Sequence, residues 1–191
     1  AMFFIVIPLS GSIIMERGEG ASIRLKTLPG NYITFLAGKI IVYLAVCMIQ
    51  FLLMLSVGLY ILPMLGLPVL QMGSSPISIF IITLSSALAA IGFGVMVGTI
   101  ATTHQQASIS GSVSVLILAA IGGIWVPVAL MPDIMKTVSL ISPLNWGLSG
   151  FHEIFLRNGH FMSIINNVIR LLVFFGLTMW VAYAVDKHRT N

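Results

Sequence analysis

Charge is what this chain lacks most. Only 7 % of its 191 residues are charged, against about 25 % in a typical soluble domain. So few ions cannot cover a folded surface, and with 58 % of the residues hydrophobic the main solvent has to be lipid. Cysteine is scarce too: the single thiol, Cys47, excludes an internal disulfide and a cysteine metal cluster. It sits in an apolar run and reads as a small packed or lipid-facing side chain. The apolar runs do not alternate with polar residues. In lipid the backbone must pair within the chain, which leaves helices or closed barrels, and long continuous runs fit helices. The formal charge of +4 comes without a basic stripe carrying interleaved aromatics, so it argues for a bias in membrane topology rather than for nucleic acid. The first run, Met2–Ile14, has neither a basic leader nor a cleavage site, which argues against a signal peptide.

The charge that is present is concentrated. Nine Lys and Arg and five Asp and Glu make up the whole complement. Five of them, Glu16, Arg17, Glu19, Arg24 and Lys26, fall in the stretch ERGEGASIRLK between two apolar runs. Lipid cannot hold such an island, so it is either the meeting place with a soluble partner or a solvated loop that only orients the helices. A spanning helix needs about 20 apolar residues, and Ile40–Leu62, Ile77–Ile100, Ser108–Leu130 and Ile164–Val185 qualify. Met2–Ile14 is too short alone and is read as the tail of a spanning helix that begins upstream. The expectation is an all-α polytopic membrane protein. It has four complete transmembrane helices plus the end of a fifth, in a single transmembrane domain over 1–191 that is incomplete at its N-terminus.

With the island in the cytoplasm, that side also collects Lys39, Lys187 and Arg189, leaving Lys136, Arg157 and Arg170 on the other, as the positive-inside rule prefers. The turn at Thr102–Gln106 is then cytoplasmic, and Pro63–Ser75 and Pro127–Asn158 are outer. The last of these is long but apolar. It carries Pro127, Pro132 and Pro143, and Pro132 can start a short helix with Ile134, Val138 and Ile141 on one face. That predicts a re-entrant or interfacial segment over 127–160.

Small residues recur every four positions at Ser86, Ala90, Gly94, Gly98 and Thr102, with Gly94 and Gly98 forming a GxxxG. Ala107, Gly111, Ala119 and Gly123 repeat the theme on the next run, with Val115 interrupting. Such faces let helix backbones approach closely. Packing within one bundle is the simpler use, a dimer interface the other. Gln50, Thr83, Ser85 and Ser86 either face a translocation path or bond to neighbouring helices. Arg170, inside the last run, is either functional or snorkelling.

Catalytic motifs fail on inspection. Gly147–Gly150 reads GLSG, like the nucleophile turn of rhomboid proteases, yet the following run Ile164–Val185 has no histidine to act as base for Ser149. His152–Glu153 lacks the second histidine of a zinc protease, since Leu156 stands there. Gly38–Lys39 lacks the glycine spacing and the Ser or Thr of a phosphate loop.

The order of several pieces carries a resemblance. ERGEGA follows an apolar helix; Leu28–Pro29 and then Gly38–Lys39 lead into the next. Further on come GGIWVPVALMPDIMKTVSLISPLNW (Gly122–Trp146) and FLRNG (Phe155–Gly159). The chain resembles, over nearly its whole length, the carboxy-terminal part of an ABC-2 permease, the membrane subunit of an ABC exporter. The resemblance implies that the runs are helices two to six of six. It implies that residues 16–27 are the cytoplasmic segment that docks on a separate ABC ATPase, with ATP and Mg bound there and no cofactor in this chain. It further implies that 127–160 caps the pathway, and that a second permease copy or paralogue pairs with this one in a bacterial or archaeal inner membrane. The family's docking pattern is matched by Glu16, Arg17, Glu19 and Gly20; Gly18 and Ala21 depart from it. Arg24 and Lys26 complete the candidate coupling set. Two other readings stand beside this one: an ion-coupled secondary transporter, which calls for mid-membrane ionisable groups in two related halves, and the rhomboid-like protease.

Overall fold

A backbone solvated by lipid has to satisfy its own hydrogen bonds. The computed structural model describes residues 2–18, 32–66, 75–157 and 159–190, and every regular element among them is helical. A 3-10 turn, Met2–Ile5, leads into α1, Val6–Gly18. Then come α2, Tyr32–Ser56, α3, Pro76–Ile100, and α4, His104–Ile121. The outer region forms α5, Asp133–Ser139, and α6, Pro143–Arg157, and α7, Phe161–Thr190, closes the chain.

Local chemistry sets the ends. Pro76 opens α3, where its missing N–H costs nothing, and Ser75 caps it by accepting from the Ser78 amide. Thr103 caps α4 by accepting from the Gln106 amide, while Gln106 Oε1 accepts from the Thr102 amide at 2.9 Å and hydroxyl at 2.8 Å. This is a capping-box arrangement displaced by one residue. Pro63 has no N–H to give, and its ring crowds the carbonyl four residues back; the backbone passes this point through a π-helical turn at Val57–Ile61 before a last turn at Leu62–Met64.

Three helical stretches are long and apolar enough to cross a membrane: Leu36–Met64, Pro76–Ile100 and Phe161–His188. The run expected as a complete span over Ser108–Leu130 is not among them. Its helix stops at Ile121, because Gly123 turns left-handed at φ 86° and the Ile124 amide bonds back to the Ala119 carbonyl at 3.2 Å. That is a Schellman stop, and a glycine pair followed by Pro127 encodes it. Ile134 and Val138 lie on α5 as expected, but Ile141 lies beyond its end.

α3 is the central helix, buried on nearly every side, with α7 and α1 as its chief partners. Gly94 faces Val6 and Leu9 while Gly98 faces Ser10 and Ile13, so α1 runs parallel to α3. Gly92 meets Phe175 and Thr178 on α7, and Phe93 packs on Phe174. α4 runs antiparallel to α1, with Gly11 against His104 and Gly111 against Val6. α2 lies outermost, with Ile41, Ile49, Leu53 and other apolar side chains exposed. Such a face is stable only against lipid or another protein.

Candidate functional site

Two regions could do work in this molecule: the end of the bundle that leads into the charged island, and a cavity toward the other end.

The first is built around α1. The Ser12 hydroxyl oxygen accepts from Lys39 Nζ at 2.9 Å and from the Tyr43 hydroxyl at 3.2 Å, both on α2, and its own proton goes to the Leu9 carbonyl at 3.0 Å. One serine thus ties both sides of the island together. On the opposite side α1 rests on Gly94 and Gly98, and a Cβ at Gly98 would stand 2.9 Å from Ser10 Cα. α4 closes the third side through His104. Of the small stripe, Ser86, Ala90, Gly94 and Gly98 are all buried, and Gly94 and Gly98 face α1. Glu16 and Arg17 continue α1 into its last turn. Glu19, Gly20, Arg24 and Lys26 lie outside the described residues, as does most of the segment 16–27.

At the other end, Pro127 precedes a 3-10 turn at Val128–Leu130, Pro132 precedes α5, and Pro143 is the first residue of α6. Arg157 ends α6 in an exposed pair with Glu153 at 2.6 Å, and Lys136 pairs with Asp133 at 3.0 Å. Such exposed pairs contribute at most about 1 kcal/mol. Two further ties run to main-chain carbonyls. Ser142 donates to the Leu118 carbonyl at 2.9 Å and Trp146 Nε1 to the Leu140 carbonyl at 2.7 Å. α6 runs antiparallel to α3, with Gly147 against Ser86 and Gly150 against Ile82. Ser86 lies about 15 Å along α3 from Pro76, at 1.5 Å per residue. The break after α4 therefore falls within the length of the central span, a place where irregular backbone persists only if it is buried in protein or borders a cavity.

A cavity is there. It measures about 390 Å³ and lies between the Met2–Phe4 turn, α2, α4 and α6, with Ser86 of α3 on its wall and Ile124 and Trp125 of the break at its edge. Its lining is mostly apolar. Phe51 stacks on Phe151 at 5.7 Å, and Phe151 on Phe155 at 6.2 Å, to make one wall. Gln50 and Ser86 are the polar side chains that reach it. Ser85 spends its hydroxyl on the Ile81 carbonyl at 2.8 Å, whereas the hydroxyls of Ser86 and Thr83 are buried without a partner. Of the polar residues that the sequence left open between a path and a packing role, Gln50 and Ser86 line the cavity, but the Ser86 oxygen itself is covered where Gly147 packs on it. Ser149, the candidate nucleophile of the GLSG turn, donates to Asn145 Oδ1 at 2.9 Å. Arg170 is exposed on α7.

Among known proteins, the family described as ABC-2 family transporter protein has a model that matches residues 1–184. The linearmycin resistance permease protein LnrN of Bacillus subtilis (strain 168) is 23 % identical over 104 residues, 54 % of this chain and 27 % of that protein. The chain thus aligns with only about a quarter of that relative's length. No solved structure matches.

Proposed function

The chain belongs to the ABC-2 transporter family, a membrane permease component of ABC transporters, and from that premise we propose that it serves an exporter driven by a separate ATPase. The observation that carries this reading is the seating of α1. It is clamped by Gly94 and Gly98 of α3, by His104 of α4 and by the Ser12–Lys39–Tyr43 bonds to α2, and its last turn already contains Glu16 and Arg17. A push delivered at Glu16 and Arg17 would pass through α1 to the central helix.

In this reading Glu16, Arg17, Glu19, Gly20, Arg24 and Lys26 form the ATPase-docking segment, and their mixed charge suits a complementary partner surface. ATP and Mg reside on the ATPase. A second permease copy or paralogue covers the apolar face of this one in a bacterial or archaeal cytoplasmic membrane, and residues 127–160 form the re-entrant cap of the pathway. The relative's title as a resistance permease directs the search for cargo toward harmful small molecules.

Co-purification tests this. The full-length protein carrying Glu16→Lys and Glu19→Lys should lose its ATPase partner, or hydrolyse ATP without transport. A complex of unchanged yield with full transport refutes the docking role.

A further inference from the structure

One face of α7 is polar where the helix enters the membrane. Ser163, Asn166, Asn167 and Arg170 follow the i, i+3, i+4, i+7 spacing of a single helix face, within the stretch Phe161–His188 that is long and apolar enough to span. Ser163, Asn166 and Arg170 are exposed and Asn167 is half-buried. The stripe runs beside the seam with α6, since Asn167 Cβ lies 3.8 Å from where a Cβ on Gly150 would stand. Gly150 also meets Ile82 of α3, and Gly92 meets Phe175 and Thr178, so α7 runs parallel to α3 and Arg170 lies level with Ser85. Ser85 is about 14 Å along α3 from Pro76, in a helix about 37 Å long. A hydrocarbon core of about 30 Å centred on α3 therefore puts the Arg170 backbone about 10 Å below its surface. A cation there is costly and calls for a counter-charge. Among the described residues none gives the side chains of these four a hydrogen bond or an ion pair. The 191 residues hold five Asp and Glu. Asp133 is paired with Lys136 and Glu153 with Arg157. Glu16 lies in the last turn of α1 at the island end, Glu19 follows it in the chain, and Asp186 stands about 24 Å further along α7. The counter-charge of Arg170 thus comes from outside these residues.

We propose that this face of α7 is a resident site for a net-anionic phospholipid of the leaflet at the cavity end of the bundle. The guanidinium is a planar fork that matches two phosphate oxygens at once. Its stem leans toward the helix N-terminus, as side chains on a helix do, and so carries the charge up to the level of Asn166 and Ser163. Their amide and hydroxyl donate to the oxygens that the fork leaves free. Toward the middle of the membrane the same face continues with Val173 and Leu177, 55 % and 57 % exposed. Polar above and apolar below, it has the profile of a headgroup followed by an acyl chain. A zwitterionic headgroup fits less well, because it brings an ammonium for which the stripe holds no carboxylate. A second copy of this chain fits less well too, since it brings the same five carboxylates, already paired or at other levels. The site depends on α7 crossing the membrane and not on export, so it stands or falls apart from the docking experiment.

The test uses the full-length protein in detergent micelles doped with equal amounts of phosphatidylglycerol and phosphatidylcholine, with retained lipids counted by native mass spectrometry. The wild type should hold one phosphatidylglycerol per protomer in preference to phosphatidylcholine. Arg170→Gln should weaken that binding about tenfold, the lower end for a hydrogen bond to a charged group. Arg170→Lys keeps the charge but not the fork and should fall between the two. Asn166→Leu removes one neutral donor and should cost about threefold. Both side chains are exposed, so the unfolding midpoint should not move in any variant, and Asn166→Leu carries the test independently of Arg170. Equal retention of the two lipids, or retention that ignores both Arg170→Gln and Asn166→Leu, overturns the site. Displacement of the lipid by millimolar inorganic phosphate identifies a soluble-anion site and overturns the lipid assignment. A dimer that falls to monomers in Arg170→Gln while lipid retention is unchanged makes the stripe an interface between copies, and overturns it as well.

Discussion

The sharpest consequence of the packing is that two glycines in helices respond to the same substitution with opposite signs. Gly98 of α3 and Gly38 of α2 both lie inside helices, where alanine is preferred over glycine by about 0.8–1.0 kcal/mol. At Gly38 a Cβ would meet nothing within 4 Å, so Gly38→Ala should keep that gain. At Gly98 the Cβ would stand 2.9 Å from Ser10 Cα and 3.0 Å from the Ser10 carbonyl oxygen. Carbon atoms prefer separations of about 3.5–4.0 Å, so α1 and α3 must part by about 0.6 Å or more. Overpacking of this kind costs about 1–3 kcal/mol, toward the upper end here because the obstacle is backbone and has no rotamer to change. The net expectation for Gly98→Ala is a loss of about 1–2 kcal/mol once the helix gain is subtracted. Equilibrium unfolding of the purified full-length protein in mixed detergent and lipid should show the midpoint rising for Gly38→Ala and falling for Gly98→Ala. Adding Ser10→Gly should not rescue the second, since the contacts are with main-chain atoms. A Gly98→Ala protein at least as stable as the wild type would refute the close approach of α1 to α3, and with it the clamped lever.

Three further outcomes follow from single residues. Gly123→Ala places a side chain on a residue at φ 86°, with its Cβ 2.6 Å from Val128 Cγ2. The conformation alone costs about 1–2 kcal/mol, so the same unfolding assay should find a loss that Val128→Ala relieves only in part. Ser12→Ala removes the acceptor shared by Lys39 and Tyr43, and at about 1 kcal/mol per bond it should loosen α1 from α2. The readout is substrate moved per ATP hydrolysed, which should fall while ATPase binding persists. Trp146→Phe keeps the edge contact with Phe174 but loses the bond to the Leu140 carbonyl, a loss of about 1 kcal/mol measured as a lower unfolding midpoint.

Much of the helical layout is legible in the sequence because it is written locally. Pro76 with Ser75, and Thr103 with Gln106, announce helix starts through side chains a few positions apart, and the long apolar run that becomes α7 needs no partner to be recognised. The end of α4 is also written locally, in Gly122–Gly123, but apolar length counted across the glycine pair conceals it. What hydropathy cannot carry is partnership. The stripe Ser86, Ala90, Gly94 and Gly98 declares a close contact without saying with which helix; the answer, α1 at Gly94 and Gly98 but α6 at Ser86, depends on the chain path through the whole bundle. Ser85 and Ser86 are indistinguishable as letters. About 100° of helix rotation separates a hydroxyl bonded to its own backbone from one buried without a partner against α6. The cavity itself draws on residues from Phe4 to Phe155, so no local pattern could have revealed it.

The two regions are joined by the same pair of helices. α3 presents Gly98 to Ser10 at the island end and Ser86 to Gly147 beside the cavity, on one continuous small-residue face. Helices packed on such faces hold each other by close van der Waals contact rather than by interlocked large side chains, so one can shift along another at a modest loss of contact. If α1 is displaced at the island, the face it leaves is continuous with the face on which α6 rests, and α6 supplies Leu144, Gly147, Phe151 and Phe155 to the cavity lining. In the proposed reading, the glycine stripe links docking at one end to the shape of the cavity at the other. A bulkier residue at Gly94 or Gly98 should then lower the unfolding midpoint and the substrate moved per ATP hydrolysed together, whereas Gly38→Ala, with open space around its Cβ, should lower neither.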